Sequence, residues 1–109
     1  MDPDRLDKLK MELRRGALVL AVLMALEEEH YGYSLRKFLQ TIGLDIEEGT
    51  LYPLLRRLEQ YELLVSEWRE EDGRKRRFYR TSEGGKSIRT SLVAEWNDLE
   101  TSFSKLTEE

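Results

Sequence analysis

EEGTLYPLLRRLEQYELL, residues 47–64, is the stretch that decides the fold. Leu51, Leu54, Leu55 and Leu58 stand at the i, i+3, i+4, i+7 spacing of a helix that buries one side. With a turn of about 100° per residue, the other side carries Gly49, Tyr52, Pro53, Arg56 and Gln60, with Arg57 beside them. A tyrosine, a proline and two arginines on one exposed face exceed what solubility requires, so this face is a contact surface. Pro53 lacks a backbone donor and would clash with the Gly49 carbonyl in a regular helix. Either the helix starts late or its first turn is distorted.

Downstream of Leu64 the period changes. LVSEWR and RRFYRT are short β-branched and aromatic runs joined by EEDGRK, and Asp72-Gly73 is hairpin turn chemistry. Two antiparallel strands with an arginine-rich tip follow. Ser82 then suits a helix N-cap with Glu83 in the first turn, while Gly84 and Gly85 weaken that start. The last helix, about Glu83 to Leu106, carries Ile88, Leu92, Trp96, Leu99, Phe103 and Leu106 at spacings of 4, 4, 3, 4 and 3, close to a coiled-coil seam. The small core already claims the apolar faces of the middle helices, so the seam is assigned to contact with a second copy.

Upstream, YGYSLRKFLQTIG predicts a short helix in which Gly32 breaks the preceding one, Leu35, Phe38, Leu39 and Ile42 take the buried spacing and Gly43 stops it. A first helix is expected from about Leu6 to Glu28, polar at its start and apolar all round through residues 17–26, with Met1 to Arg5 frayed. His30 and the glutamates at 27–29 are assigned only to a solvated helix end.

Composition limits the function. At 109 residues and 39% hydrophobic content the chain is one small domain without repeats or low-complexity tracts. The absence of cysteine excludes disulfides, thiolate metal sites and a cysteine nucleophile, and a single histidine argues against His-based catalysis or a metal centre. No cofactor and no enzyme activity are expected. The apolar run ALVLAVLMAL, residues 17–26, is half the length of a bilayer-spanning helix and follows Glu12, Arg14 and Arg15, so no membrane association is expected and the location is cytoplasmic. The net charge of −4 argues alone against nucleic acid, but GRKRRFYR, residues 73–80, gathers Arg74, Lys75, Arg76, Arg77 and Arg80 without an acid between them.

Helix, short helix, helix and basic hairpin is the order of a winged helix-turn-helix: mainly α with a small β-hairpin, followed by a dimerisation helix. Residues 1–81 form the DNA-binding unit and 82–109 the dimerisation helix. In this arrangement Tyr52 and Arg56 face the major groove of double-stranded DNA, Thr50 bonds a base edge or phosphate near the helix N-terminus, and Gly49 leaves room for close approach. Arg74, Lys75, Arg76 and Arg77 meet the backbone or minor groove through the wing.

At YGYSLRKFL, at GTLYPLLRRLEQYELL and along SEW, DGRKRRFYR and TSEGGK, the chain resembles the PadR family of bacterial transcriptional regulators over nearly its whole length. The resemblance implies acceptance of a proline at position 53 and DNA contact by Tyr33 at the start of the second helix, with Lys37 on the same helix, by Thr50 and Tyr52, and by Lys75 and Arg76. It also implies a homodimer in which first and last helices interlock, as in the short subfamily. Some short members carry a mid-helix tryptophan facing its symmetry mate across a flat pore for planar aromatic molecules. Trp96 takes that position with Val93 near it, and the departures are Gly84, Gly85 and Val93, which are smaller than what such members often carry. For Trp96, dimer core ranks ahead of ligand contact.

The leading expectation is a dimeric repressor of a pseudo-palindromic operator, released by a small aromatic effector. The alternative is a winged-helix protein-interaction module whose basic wing is incidental; steep weakening by salt separates the two.

Overall fold

The leucine stripe of residues 51–58 is the centre of the core. Leu51, Leu54, Leu55 and Leu58 are all buried, and they meet Leu35 and Leu39, Val22, Leu23 and Leu26, and Leu64 and Tyr79. The computed structural model describes residues 2–108. Its elements in order are α1 (Pro3–Ala25), β1 (His30–Tyr31), α2 (Gly32–Thr41), α3 (Glu48–Gln60), β2 (Leu64–Glu71), β3 (Arg74–Thr81) and α4 (Glu83–Thr107).

α1 begins earlier than the expected Leu6. Asp2 accepts a hydrogen bond from the Asp4 amide at 3.0 Å, and proline is well placed in the first turn, where its missing N–H is not needed. Pro3 to Arg5 are therefore helical, and Met1 lies outside the described residues. The helix ends at Ala25 rather than Glu28, and its apolar run is not covered all round: Val22, Leu23 and Leu26 are buried while Met24 is exposed.

Gly32 opens α2 rather than separating it from a longer first helix. The Ser34 hydroxyl accepts from the Tyr31 amide at 3.1 Å and donates to the Tyr31 carbonyl at 3.0 Å, which fixes the start. Leu35 and Leu39 are buried as the spacing requires, whereas Phe38 and Ile42 are exposed because α2 is covered on one side only. Gly43, at φ +87°, ends this segment. α3 starts at Glu48, ahead of Pro53, which excludes the late start. Arg36 ties α2 to the head of α3 by donating to the Ile46 carbonyl at 3.1 Å and pairing with Glu48 at 3.1 Å.

β2 and β3 form the expected hairpin, with Trp68 opposite Arg77 and Glu71 opposite Arg74 around a two-residue turn. Asp72 and Gly73 both have positive φ, +53° and +76°, the twist that a tight hairpin needs. A third strand was not expected. β1 pairs antiparallel with β3, His30 opposite Tyr79 and Tyr31 opposite Phe78, so the sheet order is β1-β3-β2. His30 is thus a half-buried sheet residue stacked on Phe38 at 5.5 Å, not part of a solvated helix end.

Thr81, buried, closes β3 onto α1: its hydroxyl donates to the Leu23 carbonyl and its amide to the Leu26 carbonyl, both at 2.9 Å. Ser82 caps α4 as expected, accepting from the Gly85 amide at 3.0 Å. Leu92 of α4 packs with Leu18 and Val19 of α1 at the core edge. Ile88 and, beyond Leu92, Trp96, Leu99, Phe103 and Leu106 are exposed, rising from 43% at Trp96 to 78% at Leu106. The seam has no cover within the chain.

Candidate nucleic-acid interface

A cleft of about 760 Å³ opens between the α2–α3 pair and the hairpin. Its helical wall is Tyr33, Tyr52, Leu55 and Arg56, and its hairpin wall is Trp68, Arg74, Lys75, Arg76, Arg77 and Tyr79, with Tyr31 and Gly32 at the base. Most of the residues assigned to DNA from sequence therefore line one concavity. Gly49 and Thr50 are exposed at the head of α3 but outside it; Thr50 instead borders a second groove toward α1. Lys37 is also outside, exposed, with its ammonium 5.5 Å from the Tyr33 ring centroid.

Tyr52 is held more firmly than its position on the polar face suggests. Its ring lies against Gly32, where an added Cβ would come 2.6 Å from Cε1, and it packs on the core edge. Burial pushes its phenol above the ordinary tyrosine range, with the Glu48 carboxylate adding to the effect, so the hydroxyl stays protonated and able to donate. Gly32 is what lets Tyr52 lie flat at the base of the cleft.

The cations divide into two sets. Arg77 is engaged: it donates to Glu59 at 2.7 Å and to Ser66 at 2.9 Å and lies over the rings of Trp68 and Tyr79. Arg76 sits 4.5 Å from the Tyr31 ring centroid, with Glu71 at 3.6 Å. Among the described residues Arg56, Arg74 and Lys75 have no ion-pair partner, which leaves their charge available to phosphate.

The wing is braced from behind. Arg69 takes both oxygens of Glu29 at 2.5 and 2.6 Å, pairs with Glu67, and lies over Phe78 at 4.7 Å. The guanidinium hydrogen bond holds the Glu29 carboxyl below its ordinary range. Glu29, assigned nothing from sequence, thus connects the loop before β1 to the hairpin. Trp68 and Tyr31 were also missed as cleft residues. The strand period offered a signal for Trp68, which shares a face with Ser66 and stands opposite Arg77.

Among the described residues no His/Asp/Glu group is arranged to hold a metal ion, and no helix is long and apolar enough to cross a membrane.

Comparison with known proteins follows this geometry. The profile of the "Transcriptional regulator PadR-like family" matches residues 19–91. The chain is 44% identical over 80 residues to the transcriptional regulator Rv3488 of Mycobacterium tuberculosis, covering 72% of this chain and 75% of that protein. It superposes on the crystal structure of a PadR family transcriptional regulator from Eggerthella lenta with a TM-score of 0.89 and 44% identity, covering 96% of this chain and 94% of that one. A PadR-like regulator from Bacillus cereus gives a TM-score of 0.81 at 27% identity over 90% of this chain and 98% of that one.

Proposed function

The chain belongs to the transcriptional regulator PadR-like family, whose members act by binding DNA, and from that premise we propose that it is a homodimeric, cytoplasmic repressor of a pseudo-palindromic operator. Residues 1–81 are the DNA-binding unit and 82–109 the dimerisation helix. Each protomer presents α3 to a major groove: Arg56 reaches a base edge, the Tyr52 hydroxyl and Tyr33 contact the backbone, and Gly49 and Thr50 admit phosphate to the positive end of the helix. Lys37 flanks the same strand. Arg74, Lys75 and Arg76 close over the phosphates from the wing, with Arg77 setting its shape.

The observation that carries this reading is the shared cleft, where unpaired cations from α3 and the hairpin face each other across aromatic side chains. A net charge of −4 does not oppose it, because the acids elsewhere orient the molecule while the cleft supplies the contact. Ile88, Leu92, Trp96, Leu99, Phe103 and Leu106 form the dimer seam, which sets the spacing of the two α3 helices to about one helical turn of DNA. A planar aromatic effector entering beside Trp96 and Val93 changes that spacing and releases the operator.

Footprinting on the DNA upstream of its own gene, repeated over a salt series, tests the proposal. A symmetric protected site whose affinity falls steeply with salt is expected. Absence of any protected site, or binding that ignores salt, would leave the protein-interaction alternative instead.

A further inference from the structure

A second groove, of about 470 Å³, runs between α1 and α3 on the side away from the cleft. Its floor is apolar, with Met11 and Leu18 from α1, Leu44 from the α2–α3 loop and Leu54 from α3. Its rim is basic. Arg14, Arg15 and Arg57 border it, and none of the three has an ion-pair partner among the described residues of a chain with 22 acids. An apolar trough edged by free guanidiniums suits an occupant that is apolar on one side and acidic at its end.

The chain itself offers such an occupant. The far end of α4 exposes Phe103 and Leu106, with Glu108 capping the helix just beyond. No α4 residue of the same chain lines the groove. Two matching, uncovered surfaces on one molecule that do not meet within it satisfy each other between two copies. We propose that the α4 tail of one protomer seats in the α1–α3 groove of its partner, with Phe103 and Leu106 on the apolar floor and Glu108 against Arg14 and Arg57. The inference rests on the homodimer proposed above and adds to it a direct contact from the partner to the recognition helix. Thr50, Pro53 and Arg57, which border the groove, belong to α3. Any change in the α4 seam is then transmitted to α3 through the tail as well as through the angle between protomers.

The chain has no cysteine, so single introduced cysteines report contacts cleanly. One preparation carries Asp45→Cys at the groove rim, a second Leu106→Cys, and a third Trp96→Cys as reporter of the seam. After mixing the first two and adding a short bis-maleimide, cross-linked pairs between the Asp45→Cys and Leu106→Cys chains are expected by mass spectrometry, alongside self-pairs of Trp96→Cys. Arg14→Glu with Arg57→Glu should raise the dimer dissociation constant about tenfold, and Glu108→Arg should restore it. Trp96→Cys self-pairs without groove pairs would overturn the tail contact while leaving the dimer. Loss of both would overturn the dimer and the tail contact together, and a link within a single chain carrying both Asp45→Cys and Leu106→Cys would assign the groove to its own tail.

Discussion

A Cβ placed on Gly85 would lie 2.0 Å from the carbonyl oxygen of Leu63, and 2.7 Å from Cγ2 of Thr81. The first turn of α4 passes this close to the segment entering β2 because position 85 has no side chain. Gly85 looks from sequence like a weak helix start, yet it is buried and sets how α4 leaves the domain. Since backbone cannot rotate away as a side chain can, Gly85→Ala should destabilise by about 1–3 kcal/mol or more. Gly84 meets nothing nearer than 3.7 Å, so Gly84→Ala should be neutral or stabilising by up to about 1 kcal/mol. Urea unfolding of the two variants checks the contrast, and equal stabilities would remove the close approach as a constraint.

Arg56 and Tyr52 share a face of α3 but not a mechanical role. Arg56→Ala, at an exposed position, should lose operator selectivity and keep its unfolding midpoint. Tyr52→Ala mixes loss of contact with loss of packing, so Tyr52→Phe isolates the hydroxyl: the fold should stay intact and affinity should fall. Gly32→Ala pushes the Tyr52 ring out of its seat and should weaken DNA binding with little loss of stability, because the ring is a side chain that can turn. Unchanged affinity in all three, by gel shift, would take this face out of the DNA contact.

In the wing, the free and the engaged cations separate by assay. Lys75→Ala and Arg74→Ala should weaken binding to specific and random DNA alike and flatten the salt slope by about 0.9 per contact. Arg77→Ala should cost stability first, because it leaves Glu59 and Ser66 without their partner. A double-mutant cycle of Arg77 and Glu59 should show coupling of about 0.5–3 kcal/mol. Additive effects there would return Arg77 to the phosphate-binding set.

The elements that sequence made legible are those with long-range regularity: the α3 stripe, the Asp72-Gly73 turn, the Ser82 cap and the α4 seam each repeat or use one residue type for one geometry. β1 was not legible, because two residues carry no period and His30 and Tyr31 become a strand only through pairing with Tyr79 and Phe78. The Glu29–Arg69 pair joins residues forty positions apart, which no local pattern encodes. For the same reason the cleft cations could be named as a set while the division between free Lys75 and engaged Arg77 could not.

His30 gives the domain a pH dependence. Its ring is half-buried, stacked on Phe38, with Nδ1 3.0 Å from the Ser34 hydroxyl that fixes the start of α2. Burial holds its pKa below the ordinary 6.5, with the Glu28 charge opposing weakly. The folded state therefore favours the neutral ring. As pH falls below about 6.5 the unfolded chain takes the proton first, so stability is lost through that range until the folded-state pKa is passed. Wild type should lose more stability than His30→Gln between about pH 7.5 and about pH 5.5. Parallel unfolding curves of the two proteins would assign the dependence to another group.

Trp96 stands where the seam and the effector proposal coincide. Its indole is 43% exposed, and its Nε1 donates to Glu100 at 2.8 Å, which fixes the ring along the helix with a face left open. A two-fold axis near mid-helix brings this face to its counterpart, and a flat aromatic between two indoles gains about 0.5–1.5 kcal/mol from stacking beyond area burial. Trp96→Ala should therefore remain dimeric through Leu92, Leu99 and Phe103, though weaker, and should still bind operator DNA without responding to planar aromatic compounds. Tryptophan emission provides the measurement, with the signal of Trp68 in the wing subtracted by means of the variant. Quenching confined to the Trp96 component, with matching release of DNA, is the expected result. If no planar compound quenches it, or if the variant dissociates to monomers, Trp96 serves the interface alone and the effector must enter elsewhere.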